Sequence, residues 1–457
     1  MAVWSAAALM IAVSLAACTT TTPAVSLPSA PAAGAGLGTI VWQTDPTSET
    51  TTNDVRQVLA DAFEQAYPSI TVKLETGPTS TDELRQQLLS QLASGSTPDV
   101  YDGDVVWPYL FAPAGYALPL DKYLPTAFWN TFGTAGEANS GASFVADLTY
   151  NHHIYGVPEF IDEGFLYYRK DLLAKAHLAP PRTWEELEQD ALVLKSRGLP
   201  YQFVWQGNKY EGLTCDWYEF LADAFNGLPS KASPAADLDS AQAQRALRFM
   251  QGLIVQGISP ATVDTFEETD TNNAFDAGQV AFMRGWDSAY ADATSGSNAL
   301  RPDQVGVEAP PAFQGQSGGG WSTLGGWGLF INPRTKNLRA ALTFVQWMAG
   351  WQAQWILATQ YSEIPANASV RNDPVVISRN PVLAAAARTR VVLRPAMTDN
   401  YVQISKIIFD NVNAALDEPK SAAQACLSLR KAARALDPAV TGGLSCPGTS
   451  GGRGSPS

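Results

Sequence analysis

Histidine is almost missing from this chain: His152, His153 and His177 are the only three in 457 residues. Neighbouring residues point in different directions on a helix or a strand, so His152 and His153 are poor partners for one metal. No H-E-x-x-H or CxxC spacing occurs, which argues against a metallohydrolase or a structural zinc site. Gly315-Gln316-Ser317-Gly318-Gly319 matches G-x-S-x-G. A hydrolase of that type needs a strand before the serine, a helix after it and a histidine downstream. Here every histidine lies upstream and the flanks are glycine, so the segment reads as a loop. Gly34-Ala35-Gly36-Leu37-Gly38 has no strand before it and is no dinucleotide loop. The sequence therefore calls for no cofactor and no metal. Charge is also scarce, at 16%, and positive charge scarcest: 30 Lys and Arg stand against 44 Asp and Glu, a net of −14. Such a surface repels phosphate backbones, so nucleic acid is not an expected partner. Carboxylates are plentiful, and counting alone leaves a glycosidase pair open.

Cysteine is rare as well, with four. Cys18 follows Leu15-Ala16-Ala17, a small-residue cleavage site at the end of an uncharged apolar stretch. That order reads as a lipoprotein signal over residues 1–17, with Cys18 as the lipidated N-terminus. The stretch is short of the roughly 20 residues a span requires. It departs from the signal pattern in having no Lys or Arg, which points to a misplaced start codon. Acyl chains anchor at roughly 0.8 kcal/mol per buried CH₂, placing the chain on the outer face of a bacterial membrane. Residues 19–38, almost all Thr, Pro, Ala, Ser, Gly and Leu, form a tether. Cys426 and Cys446 are 20 positions apart and suit a disulfide in an oxidising compartment. Cys215 sits in an apolar segment and reads as a buried free thiol.

The remaining length fits two or three domains. Residues 39–43 read as a strand, 53–67 as a helix, 70–74 as a strand and 81–93 as a helix closed by Gly95, with another strand starting at Asp99. This β-α-β-α-β order implies a parallel sheet covered by helices. Residues 155–158 lead into a buried strand at 164–168. Thr183-Trp184-Glu185-Glu186 is a capping box opening a helix over 184–197. A Gly-, Pro- and Trp-rich stretch at 310–328 precedes a strand at 328–331 and helices at 338–348, 402–416 and 422–436. The tail, 441–457, has no pattern of its own. The 13 Trp point to stacking surfaces as well as core.

Several motifs in colinear order carry a resemblance. They are Asp104-Val105-Val106-Trp107; Gly115-Tyr116-Ala117-Leu118-Pro119-Leu120-Asp121; Val157-Pro158-Glu159-Phe160-Ile161-Asp162-Glu163-Gly164 and the Phe165-Leu166-Tyr167-Tyr168-Arg169 after it. Then come Phe203-Val204-Trp205-Gln206-Gly207; Tyr210-Glu211-Gly212; Trp286; Thr323-Leu324-Gly325-Gly326-Trp327; and Arg394-Pro395 before Tyr401. From about residue 39 to 436 the chain resembles the family 1 extracellular solute-binding proteins of bacterial ABC sugar importers, nearest the trehalose/maltose-binding lipoproteins. The resemblance implies an α/β fold of two lobes around a ligand cleft, crossed by the chain near Val157 and near residues 305–311. It divides the chain into a first lobe at 39–156 and 307–360 and a second at 157–306 and 361–440. It implies a monomer that closes on a sugar and delivers it to an ABC permease without catalysing a reaction.

By the same resemblance, Asp104 and Asp162 are carboxylates for sugar hydroxyls, Arg394 is the cleft arginine and Trp286 and Trp327 are aromatic platforms. Gly326 lies where backbone approaches the ligand, and Glu49 and Arg85 match more loosely. Charged hydrogen bonds at roughly 1.5–3 kcal/mol each and indole faces on the sugar's C–H side suit micromolar capture, about −8 kcal/mol. Plainer roles stand beside these: Asp104 as a helix cap, Asp162 as a turn residue, Arg394 in a surface pair with Asp399, and the two tryptophans as core. Trp205, Tyr210 and Trp217 read as core. Phe160, Ser288 and residues 361–366 depart from the family pattern: a Tyr, an aromatic and a Gly-containing turn are missing. A hydrolase using Asp104 and Asp162 and a receptor of this fold for a non-sugar solute are the alternatives.

Overall fold

The computed structural model describes residues 36–44 and 54–440, with gaps at 79, 96, 135–140, 200, 228, 230–232, 296–299, 317–318, 399 and 418–421, together with residues 27, 29, 34 and 446. The opening β-α-β-α-β unit forms as its patterning dictates. Strands β1 (Gly38–Thr44), β2 (Ile70–Thr76) and β3 (Val100–Asp104) run parallel, with β1 between the other two. The helix Val55–Ala66 starts where Asp54 accepts the Arg56 amide, and the helix Thr81–Ser94 ends on Gly95 at φ +77°. A small hairpin, β4 (Thr149–Tyr150) and β5 (His153–Ile154), precedes β6 (Gly156–Glu163) and β7 (Phe165–Arg169). Later come β8 (Phe203–Val204), β9 (Phe282–Gly285), β10 (Val305–Glu308), β11 (Trp321–Ile331), β12 (Ile364–Pro365) and β13 (Arg390–Val392).

Two larger sheets result. The first has the order β12-β6-β11-β3-β1-β2, with β13 also paired to β11; the second is β10-β7-β9-β8. The first is mixed, because β11 returns antiparallel to both β3 and β6. A core built on Trp42, Phe63, Trp107 and Phe344 fills the first lobe and continues to Phe165, Tyr167 and Met283 on the facing side of the second sheet. The opposite side of that sheet packs on Trp184, Trp205, Trp217 and Phe220. Each such ring removes roughly 200 Å² from water, about 5 kcal/mol of transfer free energy. The helix Trp184–Lys195 opens with the expected capping box, Thr183 accepting the Glu186 amide at 3.1 Å.

The crossings between sheets fall later than the sequence suggests. The first is at Gly164, between β6 and β7, rather than near Val157, because β6 pairs along its length with β11. A Cβ on Gly164 would lie 2.4 Å from both Arg284 Nη2 and Glu219 Oε1, so only glycine fits the crossing. The second is in β11 rather than at residues 305–311: β10 belongs to the second sheet, and Phe313 to the second core. Val370, Val376 and Val382 pack in the first core, whereas Ile404, Ile408 and Val412 pack in the second, so the last return lies between residues 389 and 401 rather than at 361.

Candidate ligand cleft

Asp104 ends β3, opposite Trp327 of β11. Its Oδ1 accepts the Val106 amide at 3.1 Å and Arg394 Nη2 at 2.9 Å. The chain-local bond and the long-range one therefore coexist. Arg394 is only 5% exposed. Its Nη1 donates to Glu211 Oε1 at 2.8 Å and its Nη2 approaches the Leu324 carbonyl at 3.4 Å. Asp399, the surface partner considered for it, is outside the described residues. Burial alone would lower the Arg394 guanidinium, but Asp104 foremost, with Cys215, Tyr401 and Glu211, outweighs it and holds the group well above its ordinary value. Glu211 opens the buried helix Glu211–Phe225 and also accepts from the Tyr401 hydroxyl and from Ser405 Oγ. Burial raises its carboxyl, and Arg394 pulls the other way.

Asp162 lies inside β6, paired with Gly325, not in a turn. It is half-buried, and its Oδ1 accepts the Asp287 amide at 3.4 Å. Burial pushes its carboxyl up to about 6, partly offset by Arg284. Next to it, Glu163 is fully buried and pushed up to about 8, by burial first and by Asp162 second. Trp286 leaves β9 half-exposed; its ring lies over Arg284, with the guanidinium carbon 3.8 Å from the centroid, and close to the Gly325 backbone. Its Nε1 donates to Glu268 at 3.3 Å.

The remaining candidates differ. Trp327 is 8% exposed and meets Trp107 edge to face at 5.7 Å, so its ring belongs chiefly to the first core. Gly326 has φ +112°, and a Cβ there would sit 2.6 Å from the Phe160 carbonyl oxygen. That is a sufficient backbone reason for glycine. Arg85 is half-buried and paired with Asp82 at 2.5 Å on its own helix. Glu49 and Cys18 lie outside the described residues. Cys426 and Cys446 are bonded through sulfur with Cα atoms 5.5 Å apart, and Cys215 is a buried free thiol. A cavity of about 250 Å³ adjoins Arg394 between Val105, Val106 and Tyr109 on one side and Pro395 and Met397 on the other.

Glu211 and Arg284 contribute charges that no sequence pattern marked as site residues. Arg284 is 3% exposed and is held by Asp216 at 3.0 Å, Glu219 at 2.5 Å and Gln206 at 2.7 Å. It supports the Trp286 indole from behind. Asp104, Glu211 and Arg394 thus meet at the Leu324 carbonyl of β11, while Asp162 and the Trp286 indole meet the neighbouring Gly325.

The chain matches the family of bacterial extracellular solute-binding proteins over residues 58–385. It belongs to that family. This solute-binding protein is 34% identical to a probable ABC transporter-binding protein of Deinococcus radiodurans, over 79% of this chain and 85% of that one. Among solved structures it is similar to maltose-bound MalE3 of T. maritima, at TM-score 0.75 and 31% identity, covering 87% of this chain and 99% of the other. The GacH receptor of Streptomyces glaucescens, solved unliganded and with acarbose, is similar at TM-score 0.72 and 25% identity over 88% and 98%. A maltooligosaccharide ABC transporter solute-binding lipoprotein of Streptococcus pneumoniae is 27% identical over 49% of this chain and 51% of its own. These neighbours share the two-lobed fold. Among the described residues of this solute-binding protein, no helix is long and apolar enough to cross a membrane.

Proposed function

We propose that this solute-binding protein is the extracytoplasmic sugar receptor of an ABC importer, anchored through a lipid on Cys18. It captures an α-linked disaccharide of the maltose or trehalose type by closing its lobes, and it hands that sugar to the permease as a monomer. One observation carries the reading: Asp104 of the first lobe and Glu211 of the second converge on one buried guanidinium, Arg394, which reaches the Leu324 carbonyl of β11, next to the Gly325 backbone against which the half-exposed Trp286 ring lies. Donors and acceptors from both lobes then meet the same ligand only when the cleft is shut, so binding and closure are one event. The maltose-bound relative, at 31% identity, supports the choice of sugar. Glu49 and Arg85 would add hydroxyl contacts at the first lobe's edge, while Trp327 and Gly326 would form the floor.

Calorimetric titration with maltose and with trehalose tests this, followed by assay of the cell contents for glucose. Saturable binding with intact sugar supports a receptor. Released glucose would make Asp104 and Asp162 catalytic and the chain a hydrolase; no heat with either sugar would turn the assignment toward a different solute. Replacement of Cys18 by Ser should release the protein from the membrane fraction if the anchor is real.

A further inference from the structure

Asp287 has entered so far only through its amide, which Asp162 accepts. It follows β9 of the second sheet and is 1% exposed. Its Oδ2 accepts the Ile364 amide at 2.7 Å, and Ile364 is in β12 of the first sheet. Its own amide reaches Asp162 of β6, also in the first sheet. Its Oδ1 accepts the next amide, Ser288, at 3.1 Å. Tyr167 clamps the same loop, its hydroxyl bonding the carbonyls of Trp286 at 2.7 Å and Asp287 at 3.1 Å. The receiving side is equally built. Ser362 adopts φ +62°, a left-handed conformation that costs an L-residue roughly 1–2 kcal/mol. Asn380 Nδ2 holds that turn through the Ser362 and Glu363 carbonyls at 2.9 and 3.1 Å. The turn aims the Ile364 amide off the sheet edge and at Asp287.

We propose that Asp287 is a cross-lobe latch: a positioning residue that docks on the Ile364 amide and the Asp162 carboxyl when the cleft shuts, and that carries a proton into the closed state. This rests on the reading of Asp162 as a cleft residue that meets sugar. The two carboxyls face each other, and such a pair holds together by sharing a proton. The groups around them are Glu163 of β6, Arg284 of β9, Glu268 of the helix Glu268–Asp276 and Glu363 of the turn before β12, with Tyr167 of β7 on Asp287 and, beyond Glu163, Arg371; Asp292 and Tyr290 face Tyr167. The cations are Arg284, which Asp216 and Glu219 already engage, and Arg371, whose Nη1 is held by the Pro365 and Ala366 carbonyls at 3.0 and 3.2 Å. Burial, then Asp162 and Glu363, raise the Asp287 carboxyl well above its ordinary value when the two groups are docked. A raised carboxyl binds more protons closed than open, so closure is favoured in acid and weakens as pH rises through the raised value.

The test is calorimetric titration of the full chain with maltose at about pH 5.5 and about pH 7.5, in two buffers of different ionisation enthalpy. The native chain should bind about tenfold more tightly at the lower pH and take up a proton. Asp287→Asn keeps an acceptor for Ile364 but cannot share the proton, so its affinity should change less than about twofold and its proton uptake should vanish. Native-like pH dependence and proton uptake in Asp287→Asn would overturn the latch. Hydrogen exchange of the ligand-free chain at about pH 5.5, where the shared proton favours the shut cleft, gives a sugar-independent readout. At equal pH, Asp287→Leu should speed exchange at Ile364, and unchanged exchange there would also overturn the proposal. Failure of the sugar reading is distinct, because it appears as no heat with maltose while the exchange comparison still decides the latch.

Discussion

Replacing Arg394 by Ala should cost this protein both stability and ligand affinity, with a pH signature that separates charge from packing. The guanidinium is the shared partner of Asp104 and Glu211, each 7% exposed. Removing it leaves two carboxylates in a poorly hydrated space. Breaking a buried pair by deleting one partner costs about 3–5 kcal/mol, because the remaining charge is uncompensated. The buried carboxyls answer by taking up protons, and Glu211, already raised by burial, rises further above its unfolded value. A group with a raised folded value stabilises fully below its unfolded value and loses that contribution as pH rises through the folded one. The deficit of Arg394→Ala against the native chain should therefore be largest near pH 8 and shrink toward about pH 4.5. Urea unfolding of both proteins across that range measures it. A deficit below about 1 kcal/mol at neutral pH, or one that does not change with pH, would refute the account of Arg394 as a buried charge hub.

Trp286→Ala should weaken sugar binding by about tenfold, read by calorimetry, with little loss of unfolding temperature because the ring is half-exposed. Glu163 has a folded value near 8 against an ordinary value of about 4.3, so the chain loses stability as pH rises between the two. Glu163→Gln should remove that slope and be more stable than the native chain at pH 8 by about 4 kcal/mol; parallel pH profiles would refute it. Reducing the Cys426–Cys446 bond, which closes a separation of 20 residues, should lower stability by about 3 kcal/mol. Thiol counting by mass spectrometry before and after reduction checks that the bond was there to break.

The fold was largely legible because helix caps and apolar periodicity are local signals. Thr183 and Glu186 announce a helix start within four residues, and the β-α-β-α-β opening alternates clearly. What was hidden depended on distant partners. The first half of β11 falls in the Gly-, Pro- and Trp-rich stretch because Gly325 and Gly326 interrupt its pattern, yet its pairing with β13 and β6 makes it strand. Asp162 reads as a turn residue because acids flank an apolar run; the neighbouring strands make it interior. Glu211 and Arg284 look like surface charges until the tertiary fold buries each against an opposite group, and Asp287 until it is buried on the Ile364 amide. One faint trace existed: three of the four carboxylates in the segment 211–225, Asp216, Glu219 and Asp223, stand at i, i+3 and i+7 on one face of a largely apolar helix.

That helix, Glu211–Phe225, is 15 residues long, a rod of about 22 Å. Its first residue holds the cleft arginine. Asp216 and Glu219, one turn and two turns on, hold the arginine behind the indole, and Glu219 also accepts the Thr323 amide of β11 at 3.2 Å. Asp223 takes the Trp184 indole at 2.7 Å and the Trp321 amide at 3.3 Å. A stiff rod cannot shift at one end and stay still at the other. The crossing strand and the two arginines are thus geared together, as cams are on one shaft. Substitutions at Thr323 or Trp321, which touch no ligand group, should change how tightly the cleft holds its cargo.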